Sequence, residues 1–127
     1  MNEPTKSGAT GWRRIANAVR YSAAGLTQAL RSEAAFRQEA IIAAILVPLA
    51  FFLPVHGAER ACLVASVLLV LIVELINSSV EAAVDLASPQ HHPLAKRAKD
   101  LASAAVMLTL MLTAAVWCLI LWPRVRG

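Results

Sequence analysis

The chain predicts an all-α membrane protein, with three transmembrane helices and an N-terminal amphipathic helix on the membrane surface. Three observations carry this. Of its 127 residues, 58% are hydrophobic, above the roughly 45–50% usual in soluble domains. Three apolar stretches approach or exceed the ~20 residues with which a helix crosses a bilayer. The basic residues collect before the first stretch and between the second and third, as the positive-inside rule asks of cytoplasmic segments.

The length suits one domain over 1–127. A soluble domain of this size has too little interior for so many Leu, Ile, Val and Ala. The net charge of +4 suits anionic lipid headgroups or phosphate ligands better than nucleic acid, given the apolar remainder. Cys62 and Cys118 sit inside apolar runs without a CxxC pair, so neither a redox motif nor a zinc site is indicated. No short apolar segment ending in a small-residue cleavage site occurs near the start, so the hydrophobic segments are expected to stay in the mature protein.

Residues 1–10 read as a disordered tail. Over 11–31, Trp12, Ile15, Val19, Ala23, Leu26 and Leu30 recur at three- and four-residue steps. Arg13, Asn17, Arg20, Gln28 and Arg31 fall largely opposite. A basic amphipathic helix of this kind lies on a membrane rather than through it. Ser32 is placed to cap the next helix, with Glu33 in its first turn. That first span covers 33–55, with Pro48 expected to kink it and Pro54 to end it. HGAER (56–60) reads as a turn, 61–86 as the second span and 87–100 as a polar loop whose later part is open to helix. The third span, 101–122, is uncharged and ends on Trp117 and Trp122, residues suited to the interfacial belt. Three spans put the N-terminus and the 87–100 loop on one side. That side collects Lys6, Arg13, Arg14, Arg20, Arg31, Arg37, Lys96, Arg97 and Lys99, against Arg60, Arg124 and Arg126 opposite. The first side is therefore expected to be cytoplasmic.

The second span carries VELINSSVEAAVD (73–85). At about 100° per residue, Glu74, Asn77, Ser78, Glu81 and Asp85 share one sector of the helix. Each carboxylate at the bilayer centre costs roughly 2.5–3.5 kcal/mol, so this stripe must face another helix, a wet cleft or a cation. Asn77 and Ser78 could serve as a polar clamp between helices. Two acids exceed what a clamp needs, and suggest a metal site, a proton relay or a general base. Glu33 and Glu39 enter the first span at the same cytoplasmic level, and Lys99 and Asp100 lead into the third. Acids beside Lys and Arg suit a metal-bound polyphosphate, because Mg²⁺ takes one or two carboxylates and keeps phosphate oxygens as further ligands. Neither GxxxxGK[ST] nor GxGxxG is present. The residues themselves do not separate a phosphotransferase from a small ion or proton pathway.

EAAFRQE (33–39), VELINSSVEAAVD (73–85), KRAKDLASAAV (96–106) and WCLILW (117–122), in this order, closely resemble the prokaryotic diacylglycerol kinase family. The likeness runs from Gly11 to Trp122. It implies a small inner-membrane kinase of three transmembrane helices and a surface helix, working as a homotrimer with active sites shared between subunits. The activity implied is transfer of the γ-phosphoryl of MgATP to diacylglycerol, giving phosphatidic acid. By resemblance, Glu74 is the general base, Asn77 orients the base or the lipid hydroxyl, and Glu33 and Glu81 hold Mg²⁺. Arg14, Tyr21, Glu33, Glu81, Lys99 and Asp100 match nucleotide-contacting positions, as do Gln90, His91 and His92 by place in the loop. That loop, SPQHHP, departs from the acidic or small polar residues expected there. Ala18, Tyr21, Ala35, Arg37, Glu39, Glu74, Ser103, Trp117 and Trp122 match positions facing the lipid substrate. Competing readings are an undecaprenol kinase and, from another class, a small channel lined by Glu74, Glu81 and Asp85.

Overall fold

The computed structural model describes residues 11–127; the expected tail at 1–10, with Lys6, lies outside them. Four helices follow in order: α1 (Trp12–Ser32), α2 (Ala34–Phe52), α3 (Gly57–Ala87) and α4 (Pro93–Arg126). Two compact units divide the chain, one ending at Ala34 and the other running from Ala35 to Gly127.

The first unit is α1. Gly11 precedes it at φ 64°, a left-handed conformation that strains any residue with a Cβ. The helix ends at Glu33, whose backbone is extended (φ −110°, ψ 105°) while its N–H still donates to the Ala29 carbonyl. This corrects the expected cap. Ser32 closes α1 instead of opening α2: its hydroxyl donates back to the Gln28 carbonyl at 2.6 Å, a local bond open to any Ser in a last helical turn. Glu33 consequently sits between the two helices and outside the first turn of α2.

In the second unit, α2, α3 and α4 are each long and apolar enough to cross a membrane. The 19 residues of α2 reach about 28 Å, close to the hydrocarbon thickness. Phe36, Ala43 and Ala50 are its buried positions; their spacing of seven marks one inward face, and two are small enough for close helix approach. Ile41, Ile42, Ile45, Phe51 and Phe52 stay exposed, as suits a lipid-facing side. The helix stops at Phe52 and not at 55. Beyond it, the Arg60 guanidinium gathers three carbonyls, donating to Ala50 at 3.0 Å, Leu53 at 3.1 Å and Val55 at 3.3 Å. The guanidinium does this from two nitrogens held in a fixed plane, whereas the three donors of an ammonium radiate from a single atom. We expect Arg60→Ala to cost about 1–3 kcal/mol, from several charge-assisted hydrogen bonds lost at once, and Arg60→Lys to recover little of it. Thermal unfolding in detergent reads both variants; wild-type stability in Arg60→Ala would refute this role.

The α3–α4 pair is an antiparallel hairpin longer than the hydrocarbon core of a membrane. Its helices have 31 and 34 residues, about 46 and 51 Å, so their ends stand in the headgroup regions or beyond. Side chains stitch them at successive levels. Lys99 pairs with Asp85 at 2.5 Å, Thr113 Oγ1 donates to the Ser66 carbonyl at 3.0 Å, and Trp117 Nε1 to the Leu63 carbonyl at 3.3 Å. At the far end Arg124 grips Glu59 with two bonds of 2.7 and 2.9 Å and donates to the Pro54 carbonyl at 2.8 Å.

Both helices begin earlier than the expected spans. HGAER is the first turn of α3 and not a separate turn: the His56 N–H donates to Glu59 Oε1 at 3.2 Å in a capping box. KRAKD belongs to α4, which opens with Pro93 at its first position and continues past 122 to Arg126. Hydropathy finds the apolar middle of a helix, whereas caps and a leading proline set its ends.

Candidate functional site

The polar sector of α3 is graded by depth. Glu74 is buried, at 5% exposure. Asn77, Ser78 and Glu81 are half-buried, and Asp85 is exposed. The periodicity expected from sequence is thus met, and the sector opens toward the hairpin end. Asn77 Nδ2 lies 3.5 Å from Glu81 Oε1, a long contact one helical turn apart. Its carbonyl oxygen, Oδ1, is buried with no hydrogen-bond partner. Glu39, on α2, has its Oε2 in the same condition, and the Glu74 charge acts on it electrostatically. Asn77 and Glu39 thus each carry a buried acceptor oxygen left unsatisfied. Buried acceptors of this kind are rare in folded proteins and call for a donor.

At the hairpin end, the last turns of α3, the 88–92 loop and the first turns of α4 enclose a cavity of about 940 Å³. Gln90, His91, His92, Lys99 and Asp100, five of the residues matched to the nucleotide, all line it. Lys96 and Asp85 also line it, beyond the residues matched to the nucleotide. Lys96 pairs with Asp100 and Lys99 with Asp85, each at 2.5 Å. The first pair was readable as an i, i+4 match on a helix; the second crosses the hairpin and had no local signal. The 88–92 loop is short because α4 starts at Pro93, which folds the two histidines against the wall of the cavity.

In the first unit, Arg14 and Ala18 share a shallow hollow with Gly11 and Ile15. Tyr21 follows at the next helical step, its ring exposed and stacked under the Arg20 guanidinium at 5.7 Å. Ala35, Arg37 and Ser103 are exposed. The two tryptophans lie far from Glu74 along the hairpin. Trp117 turns its indole N–H to α3, at the level of Leu63, about 16 Å of helix rise from Glu74. Trp122 is exposed near the last turn, with the Arg126 guanidinium 5.9 Å above its ring. The positions matched to the lipid substrate are thus spread along the helices.

Among the described residues, no three His, Cys, Asp or Glu side chains converge as a metal cage. A dedicated calcium or zinc site would need such a set; a magnesium ion carried by a polyphosphate needs only one or two carboxylates.

The family model for prokaryotic diacylglycerol kinase matches residues 20–121. The chain belongs to that family. It is 50% identical over 121 residues to a diacylglycerol kinase of Pseudomonas aeruginosa, covering 95% of this chain and 98% of the relative. It is 44% identical over 115 residues to the one of Escherichia coli K12, covering 91% and 94%. A diacylglycerol kinase of Helicobacter pylori is 42% identical over 109 residues, covering 86% and 85%. Membership of the diacylglycerol kinase family favours the phosphotransferase over the channel.

Proposed function

We propose that this chain transfers the γ-phosphoryl group of MgATP to the free hydroxyl of diacylglycerol, giving phosphatidic acid and ADP. The observation that carries the proposal is the depth-graded sector on α3. A buried carboxylate lies at the level of the lipid, and the sector reaches a cation-bearing cavity about three turns later, at Asp85.

Glu74 takes the hydroxyl proton as the lipid oxygen attacks the γ-phosphorus and the bond to the ADP oxygen breaks. Asn77, one helical turn from Glu74, orients the hydroxyl by donating from Nδ2 to its oxygen, so that the single proton stays directed at Glu74. Lys99 faces the cavity and supplies positive charge to the phosphates. The resemblance assigns the magnesium carboxylates to Glu33 and Glu81. Glu81 suits the ion, being a half-exposed oxygen donor flanked by an amide and with no sulfur or imidazole beside it. When bound, Mg²⁺ neutralises charge on the β- and γ-phosphates. Arg14, Tyr21, Gln90, His91 and Asp100 are the further nucleotide contacts we assign.

Seven residues separate Glu74 from Glu81, about 10 Å of rise. The phosphates must reach down the sector, or a neighbouring subunit must close the gap. This supports a homotrimer with shared sites, in which partner helices cover the polar sector. We place the N-terminus in the cytoplasm of a bacterial inner membrane, with α1 along the surface, since the basic segments gather there.

The test is purified protein in mixed micelles with MgATP and either diacylglycerol or undecaprenol. Phosphatidic acid as the main product supports the assignment. Phosphorylation of undecaprenol alone would overturn the acceptor, and no product from either would overturn the kinase.

A further inference from the structure

We infer that His92 is a proton-sensitive positioning residue that fixes the first turn of α4, and through it Lys96, Lys99 and Asp100, for ATP. The link to ATP rests on the kinase reading; the cap itself does not. His92 occupies the N-cap of α4, with an extended backbone (φ −136°, ψ 137°), and its Nδ1 accepts from the Leu94 N–H at 3.1 Å. Its carbonyl accepts from the Lys96 N–H at 3.1 Å. Pro93 has no N–H, so the side-chain bond to Leu94 secures the amide at the second helical position, one that helices otherwise leave open.

Histidine is an unusual choice for this post, where Ser, Thr, Asp and Asn are preferred. The choice has a chemical consequence. A neutral imidazole with its proton on Nε2 offers Nδ1 as an acceptor; an imidazolium carries N–H on both nitrogens and offers none. It would also set a positive charge on the positive end of the α4 dipole. The charged and titratable groups facing the same cavity are Asp85 from α3, His91 from the loop, and Lys96, Lys99 and Asp100 from α4. The two carboxylates are engaged by Lys99 and Lys96, and among the described residues no carboxylate pairs with His92. Protonation thus removes the cap with no counter-charge in place. Once the imidazole is protonated, the first turn of α4 loosens, and with it the footing of Lys96, Lys99 and Asp100.

Asn is the diagnostic replacement. Its Oδ1 occupies the place of Nδ1 and accepts at any pH. The nucleotide-free full chain in detergent is followed by hydrogen exchange over residues 94–97 between pH 5.5 and 8, corrected for intrinsic rates. Wild type is expected to lose protection at low pH by roughly fivefold, as for a lost cap. His92→Asn should stay protected throughout, His92→Ala should exchange fast throughout, and His91→Asn should keep the wild-type pH step. A flat wild-type profile, or a step that survives in His92→Asn, would overturn the cap. The KM for ATP is then compared over the same range. It should rise at low pH by a larger factor in wild type than in His92→Asn, with kcat changing alike in both. An exchange step with matching KM profiles would overturn the link to ATP. Absence of turnover in wild type with the exchange step intact would fault the kinase reading and leave the cap standing.

Discussion

Glu74→Gln should lose on the order of 10²–10⁴ in kcat, the span usual for a general base, while the KM for ATP stays within a few-fold. The side chain is 5% exposed within the helical unit, and Gln has nearly its shape, so packing is retained. Gln also keeps a hydrogen-bonding end for the neighbours of Glu74, so thermal stability in detergent should hold as activity collapses. A merely structural acid would give the opposite pairing, with stability lost and activity following it. Glu74→Asp tests position separately. It keeps a carboxylate but withdraws it by one methylene, and should fall between wild type and Gln. Turnover of Glu74→Gln within twofold of wild type, measured as phosphatidic acid formed under saturating MgATP, would remove Glu74 from the mechanism.

The sector around Glu74 was legible because a helix repeats its faces at a fixed angle. Glu74, Asn77, Ser78, Glu81 and Asp85 needed only that angle to be placed together, and the gradient from buried Glu74 to exposed Asp85 followed from their order. The three apolar helices were legible for the same kind of reason: hydrocarbon imposes a length and a composition. What escaped depends on atoms that sequence does not distinguish. Arg60 binds carbonyls of Ala50, Leu53 and Val55, and every residue has a carbonyl. Arg124 meets Glu59 across 65 residues, a pairing fixed by the register of α3 on α4 and not by either neighbourhood. The starts of α3 and α4 were missed because His56 and His92 are uncommon caps. Pro93 after His92, a leading proline followed by helix formers, was the available signal for the second. The acceptors left open on Asn77 and Glu39 could not be foreseen at all, since satisfaction is a property of packing.

Lys99 provides the second large effect. It sits at the mouth of the hairpin with Asp85 at 2.5 Å and faces the same cavity as Asp100 and the two histidines. Two roles are compatible with that geometry, and they predict different things. If Lys99 only pins α4 to α3, Lys99→Met and Asp85→Asn break the same pair and should do equal harm. An exposed pair of this kind contributes about 0.2–1 kcal/mol, so both variants would lose a few-fold at most. If Lys99 also holds phosphate, its loss removes a charge-assisted bond worth about 1.5–3 kcal/mol, or roughly 10- to 150-fold in kcat/KM. Asp85→Asn would then be mild, because it frees the ammonium for the nucleotide. We expect this second pattern, with the loss in Lys99→Met falling on both KM for ATP and kcat. Lys99→Arg keeps the charge but changes its shape, and should recover part of the activity. Equal, small losses in Lys99→Met and Asp85→Asn would reduce the residue to a hairpin fastener and leave the phosphates to be held from elsewhere.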